Sequence, residues 1–179
     1  MRKVFSRLVV VLDTNVLAPM PVADTLLRLA EEPAFYLPRW SEEILLELER
    51  TLRKWDYSQF QVDRRLRVMR EHFPEAIVTG YEGLANSLDV DEKDRHVLAC
   101  AIGAGAHAIV SDNKKDFPAQ TMEQLGIECL SATEFFKRQY YVNPDLFIQI
   151  LLNQRIEVGI SMAELFQRLP KGLEDFIHI

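Results

Sequence analysis

What most narrows the folds open to this chain is the run Leu8-Val9-Val10-Val11-Leu12, which passes directly into Asp13-Thr14-Asn15. An apolar, largely β-branched run with no polar alternation reads as a strand buried on both faces, the mark of an interior strand in a parallel sheet. Parallel neighbours are joined by crossovers, usually helical, so the rest of the chain must supply helices. An acid that follows such a strand emerges at its carboxyl end, where open α/β sheets place their ligands. Ala108-Ile109-Val110 repeats the pattern, running into the polar loop Ser111-Asp112-Asn113-Lys114-Lys115-Asp116-Phe117-Pro118. Both acid-bearing loops then fall at one edge of the sheet.

The intervening elements alternate. Ala23 to Glu31 reads as a helix ended by Pro33, and Phe35-Tyr36-Leu37 as a strand closed by Pro38. Ser41 is an N-cap for a helix with Glu42 and Glu43 in its first turn and the apolar stripe Ile44, Leu45, Leu48, Leu52. Gln59 to His72 reads as a basic amphipathic helix stopped by Pro74, with a strand at Ala76-Ile77-Val78. Asp91 caps a helix whose stripe is Val97, Leu98, Ala101 and Ile102. Ile127 to Leu130 reads as the last strand, with Ser131 capping a helix through Lys137. Asn143-Pro144 starts an apolar helix through about Leu152, and Ser161 to Leu169 reads as one more. The spacing predicts a three-layer α/β/α sandwich around a short, mainly parallel sheet. Residues 1–139 form the core, and residues 140–179 a helical C-terminal extension packed on it.

A length of 179 residues that are 48% hydrophobic suits a single core of good size. The start Met1-Arg2-Lys3 resembles a signal peptide only superficially, because the apolar stretch is short and ends in Asp13. With no run of membrane-spanning length, and with Cys100 and Cys129 as isolated thiols in apolar settings, a cytoplasmic protein with no membrane partner is expected. The net charge of −6 speaks against a nucleic-acid partner unless some carboxylates are neutralised by a bound cation. Basic residues do cluster: Arg50, Arg53, Lys54, Arg64, Arg65, Arg67 and Arg70 either track a phosphate backbone or form a solvated face with Glu47, Glu49 and Asp63.

Helix geometry says where the acids point. Glu47 lies about 60° to one side of Ile44, on the shoulder of a buried stripe. Asp94 shares the direction of Val97, Leu98 and Ala101, so a carboxylate heads the buried stripe of its own helix and needs compensation. Ordinary roles exist for each: a turn-closing Asp13, a helix-start Asp94, a Glu47 paired with Arg50 or Thr51, loop acids at Asp112 and Asp116. Carboxylates converging without His or Cys would instead suit a hard cation with oxygen ligands, Mg²⁺ or Mn²⁺, able to polarise a phosphoryl oxygen and activate water. Phosphodiester hydrolysis is the matching chemistry. The four histidines read as surface or packing residues, with His96 turned away from the Val97/Ala101 stripe.

Four segments in order, Val11 to Leu17, Ser41 to Leu48, Asp94 to Ile102, and Gly105 to Ser111 running on to Asp116-Phe117-Pro118, resemble the PIN-domain ribonucleases. The resemblance is strongest to the bacterial, VapC-like toxins of toxin-antitoxin pairs. It implies a metal-dependent endoribonuclease acting on single-stranded or looped RNA, with Asp13, Glu47 and Asp94 holding Mg²⁺ or Mn²⁺. The family's fourth acid falls here on Asn113, so that charge comes from Asp116 or, failing that, Asp112. Asn15 and Ser111 would support the ligands, and the Arg64 to Arg70 stretch, including Arg67, would guide the strand. Phe117, Trp40 and Trp55 are candidates for base stacking. An antitoxin protein occupying the groove and a homodimer are the implied partners, and a catalytically weak RNA-binding module is the alternative that Asn113 raises.

Overall fold

The run at residues 8–12 forms the interior strand its composition requires. In the computed structural model, which describes residues 7–88 and 90–177, four strands make one sheet. They are β1 (Leu8–Leu12), β2 (Tyr36–Arg39), β3 (Ala108–Val110) and β4 (Glu128–Leu130), in the order β2-β1-β3-β4. Every pairing is parallel, with Val10 opposite both Pro38 and Ala108, and Ile109 opposite Cys129. Val10, Val11, Leu12, Ile109 and Val110 are wholly buried. Met1-Arg2-Lys3 and His178 lie outside the described residues.

Among the described residues the helices are α1 (Thr14–Leu17), α2 (Val22–Ala30), α3 (Glu42–Lys54), α4 (Gln59–His72), α5 (Arg95–Gly103), α6 (Ala119–Leu125), α7 (Ala132–Val142), α8 (Pro144–Val158) and α9 (Met162–Arg168). With the strands in the order β2-β1-β3-β4, the right-handed rule for parallel crossovers puts α2 on one face of the sheet and α3 to α5 on the other, giving the three layers. Local chemistry explains the helix starts. The Ser41 hydroxyl accepts from the Ile44 N–H, Ser58, Ser131 and Ser161 form reciprocal capping boxes, and Asn143 caps α8 with Pro144 at its first position.

Several boundaries differ from the sequence reading. β2 runs through Pro38, which an edge strand tolerates because one side of its ladder is open. The strand expected at 76–78 shrinks to a single bridge between Trp40 and Ile77, after a 3₁₀ turn over Pro74–Ala76. A 3₁₀ turn also precedes α5, so the helix proper begins at Arg95. α7 and α8 both run longer than their spacing suggested, and α6 occupies a stretch with no periodic signal.

The C-terminal helices complete the core. α8 lies against α2 and α7, burying Phe147 and Leu151. A buried polar clasp fixes it: Thr25 Oγ1 donates to Gln154 Oε1 (2.8 Å) and Gln154 Nε2 donates to the Pro21 carbonyl (3.3 Å). The apolar face of α2 is therefore packed inside the molecule.

Candidate functional site

β1 is flanked by the next two strands of the chain, β2 on one side and β3 on the other, so the connections diverge there and the crevice beyond its carboxyl end is the sheet's switch point. Asp13 enters it first. Its N–H donates to the Val110 carbonyl (3.1 Å), tying the end of β1 to that of β3. The carboxylate is almost fully buried: Oδ1 accepts from the Thr14 N–H (2.7 Å), and Oδ2 from Asn15 Nδ2 (2.8 Å) and Ser111 Oγ (2.8 Å). Asn15 Nδ2 also donates to Ser111 Oγ (2.8 Å), while the N–H groups of Asp112 and Asn113 donate to Asn15 Oδ1 and Ser111 Oγ. Burial pushes the Asp13 pKa up despite the bonds from Ser111 and Thr14. The side chain is thus fixed in place while its charge remains costly.

Glu47 reaches the same crevice from α3. Thr14 Oγ1 donates to its Oε2 (3.2 Å), and His96 Nε2 of α5 stands 3.3 Å from that oxygen. The histidine holds the Glu47 carboxyl below its ordinary range. Burial works against the His96 charge, but Glu47 and Glu43 outweigh it and raise its pKa. A packing role alone does not describe His96: the sequence placed it off its own helix's apolar stripe, and the face it occupies is the one turned toward α3. Thr14, hidden in a short helix, was likewise not singled out.

Asp94 occupies the N-cap position of α5, yet its side chain caps nothing. The capping bond of the preceding turn comes from Asp91, which accepts from the Lys93 N–H. Asp94 Oδ2 is buried without a hydrogen-bond partner. Burial, with the negative charge of Asp116 nearby, lifts its pKa to about 6. Lys93 Nζ lies 3.8 Å from Asp94 Oδ2 and 3.7 Å from Asp116 Oδ2, so the fold brings these two acids together around one ammonium.

The cleft, about 260 Å³, is lined by Asp13, Asn15, Glu47, Lys93, Asp94 and Asn113, with Thr14, Ala18, Thr51 and Trp55 completing its wall. Asp112 faces elsewhere, accepting from the Ala132 N–H at the start of α7 (2.9 Å). Trp55 is half exposed at the rim, whereas Trp40 and Phe117 are buried core residues and unavailable for stacking. Arg64 and Arg67 are exposed on α4; Arg67 lines a separate shallow groove with Asp63, Leu66 and Arg70. The rest of the basic stretch is partly engaged, Arg65 donating to the Leu17 and Ala18 carbonyls, Arg70 pairing with Glu42 and Arg53 with Glu49.

Among the described residues no three His, Cys, Asp or Glu side chains stand close enough to hold an ion as they are arranged. The donor chemistry nevertheless fits a hard divalent cation. Asp94 Oδ2 is an orphaned buried acceptor, and Asp13 and Asp94 carry raised pKa values that a nearby cation would reverse. Carboxylate and carboxamide oxygens predominate in the lining.

Comparison with known proteins agrees with this geometry. The family model described as PIN domain matches residues 9–115, which span β1 through the loop after β3. A protein of Mycobacterium tuberculosis named "Putative ribonuclease VapC50" is 36% identical over 64 residues, covering 36% of this chain and 38% of that protein. The chain thus spans well under half of that relative's length, and no solved structure matches it. With more than half of its length matched by the family model and the acids of that stretch gathered at one sheet edge, the chain belongs to the PIN-domain family.

Proposed function

We propose that this protein is a divalent-metal-dependent endoribonuclease that hydrolyses phosphodiester bonds of single-stranded or looped RNA. Asp13, Glu47, Asp94 and Asp116 would hold Mg²⁺ or Mn²⁺, with Asn113 contributing an amide oxygen where an acid is missing. The observation that carries the reading is Asp94, a carboxylate at a helix start that caps nothing, has a buried unpartnered oxygen and faces Asp116. An acid with a buried oxygen that makes no hydrogen bond costs stability, and a site for a cation is the physical reason to keep it.

A bound ion would supply Lewis-acid polarisation of the phosphate and activation of the attacking water. The chain's own residues would do the rest. Asn15 and Ser111 clamp Asp13 in the cleft wall, and Thr14 and His96 steer Glu47. Trp55 at the rim offers a face on which an unpaired base can stack, which suits a flexible strand better than an A-form duplex.

As the toxin of a toxin-antitoxin pair the protein would be neutralised by an antitoxin chain covering this cleft. A homodimer would use the exposed apolar side chains Tyr141, Val142 and Ile156, since the face of α2 is already covered. Among the described residues no helix is long and apolar enough to cross a membrane, and action in the cytoplasm belongs to the same reading. In the division into a core of 1–139 and an extension of 140–179, the proposed nuclease site belongs wholly to the first part, and α7 runs across the boundary between the two.

The test is cleavage of a mixed pool of structured RNAs by wild type and Asp94→Asn, each in Mn²⁺, Mg²⁺ or EDTA. Cutting by wild type alone, and only with metal, supports the nuclease. RNA binding without cleavage in either metal favours the second reading, a catalytically weak RNA-binding module, which Asn113 in the cleft lining motivates.

A further inference from the structure

Lys93 is the one basic side chain among the described residues lining the cleft. Its ammonium stands at 3.8 Å from Asp94 Oδ2 and 3.7 Å from Asp116 Oδ2, within ion-pairing range of both and beyond hydrogen-bond reach of either. The carboxylates are nearly buried, their side chains 15% and 11% exposed, while that of Lys93 is 64% exposed. The backbone below it is fixed, because Asp91 Oδ1 accepts from the Lys93 N–H (3.3 Å). A rooted backbone thus carries a four-carbon stem that holds its charge over two facing acids loosely, from the solvent side.

The position is the one where positive charge is most needed. Burial and the nearby Asp116 charge raise the cost of ionising Asp94, and Lys93, standing between the two carboxylates, opposes that effect. Glu47 and Asp13 have other partners, His96 and the Asn15/Ser111 pair, so among the described residues Lys93 is the cation that serves Asp94 and Asp116. We propose that Lys93 is the site's built-in counter-ion: it neutralises Asp94 and Asp116 while no divalent ion is bound and is displaced when one binds. Its charge therefore sets how tightly the ion is held. This inference rests on the metal-site reading above. Displacement requires only that an exposed, flexible stem swing into water, at little cost in packing.

The consequence has a sign that a merely structural lysine would not give. Removing it should destabilise the metal-free protein and strengthen metal binding. For a solvent-screened pair, Lys93→Gln should bind Mn²⁺ about fivefold more tightly than wild type. Lys93→Arg, which keeps the charge, should bind no more tightly than wild type. The difference between Lys93→Gln and wild type should shrink in high salt.

Isothermal titration with Mn²⁺ of wild type, Lys93→Gln, Lys93→Arg and Asp94→Asn, with melting curves of each in EDTA, tests this. The expected result is Asp94-dependent binding, tighter in Lys93→Gln, together with a lower melting temperature of that variant in EDTA. Asp94-dependent binding of equal or lower affinity in Lys93→Gln overturns the role of Lys93 and leaves the metal site standing. Failure of both wild type and Lys93→Gln to bind Mn²⁺ overturns both.

Discussion

The Asp94 carboxylate heads α5 without capping it, and burial with Asp116 nearby lifts its pKa to about 6. A raised carboxyl pKa means that the folded state holds the proton more tightly than the unfolded chain does, whose ordinary value is about 4. The stability this contributes is present below pH about 4 and is lost as pH rises through about 6. Metal-free wild type should therefore lose stability across that window, and Asp94→Asn should not. Above pH 7, melting in EDTA should show Asp94→Asn more stable by about 1–2 kcal/mol, after allowing for residual solvent screening, while the proposed RNA cleavage should be lost. His96 works in the other direction. Its ion pair with Glu47 lowers the Glu47 pKa and raises its own, so His96→Ala frees a proposed ligand. Mn²⁺ affinity measured by titration should fall by about tenfold, the usual cost of losing a group that orients a ligand.

Elements with strong local chemistry were readable and those shaped by their neighbours were not. α3 and α4 announced themselves through Ser41, an apolar stripe and a proline stop, and β1 and β3 through uninterrupted apolar runs. α6 begins at Pro118 with no side-chain cap and buries only Met122, so nothing periodic marks it. The segment 76–78 has strand-forming residues, but the turn at Pro74 leaves only Ile77 beside Trp40. The same division holds at the cleft: strand ends and helix faces told where Asp13, Glu47 and Asp94 point. The partners Thr14, His96 and Lys93 depend on how α1, α3, α5 and the loop after β3 dock. One docking can be tested directly. A Cβ added at Gly103 would lie 2.7 Å from the Tyr81 Cβ, whereas one at Gly83 would meet nothing within 4 Å. Denaturant unfolding should find Gly103→Ala destabilised by about 1–3 kcal/mol through overpacking of α5, and Gly83→Ala close to wild type.

At the scale of the whole molecule, the helices after β4 complete the layer that β1 and β2 need on one face. Phe147 is fully buried and meets Phe35, Phe136 and Tyr140 edge-on at centroid distances of 6.4, 6.3 and 5.9 Å. Phe147→Ala should cost about 3–5 kcal/mol in equilibrium unfolding, and one cooperative transition seen by far-UV and aromatic signals alike would show that extension and core unfold together. The net charge of −6 fits the same proposal: acids concentrated at one sheet edge would count against the proposed polyanionic substrate until a cation joined them. That joining is the central claim, and the most direct measurement is the anomalous diffraction of Mn²⁺ in crystals of the wild-type protein. The expected result is a peak in contact with the carboxylates of Asp13 and Asp94 and absent from Asp94→Asn crystals. Manganese bound only elsewhere, or no peak from protein that cleaves RNA in the same buffer, would contradict it.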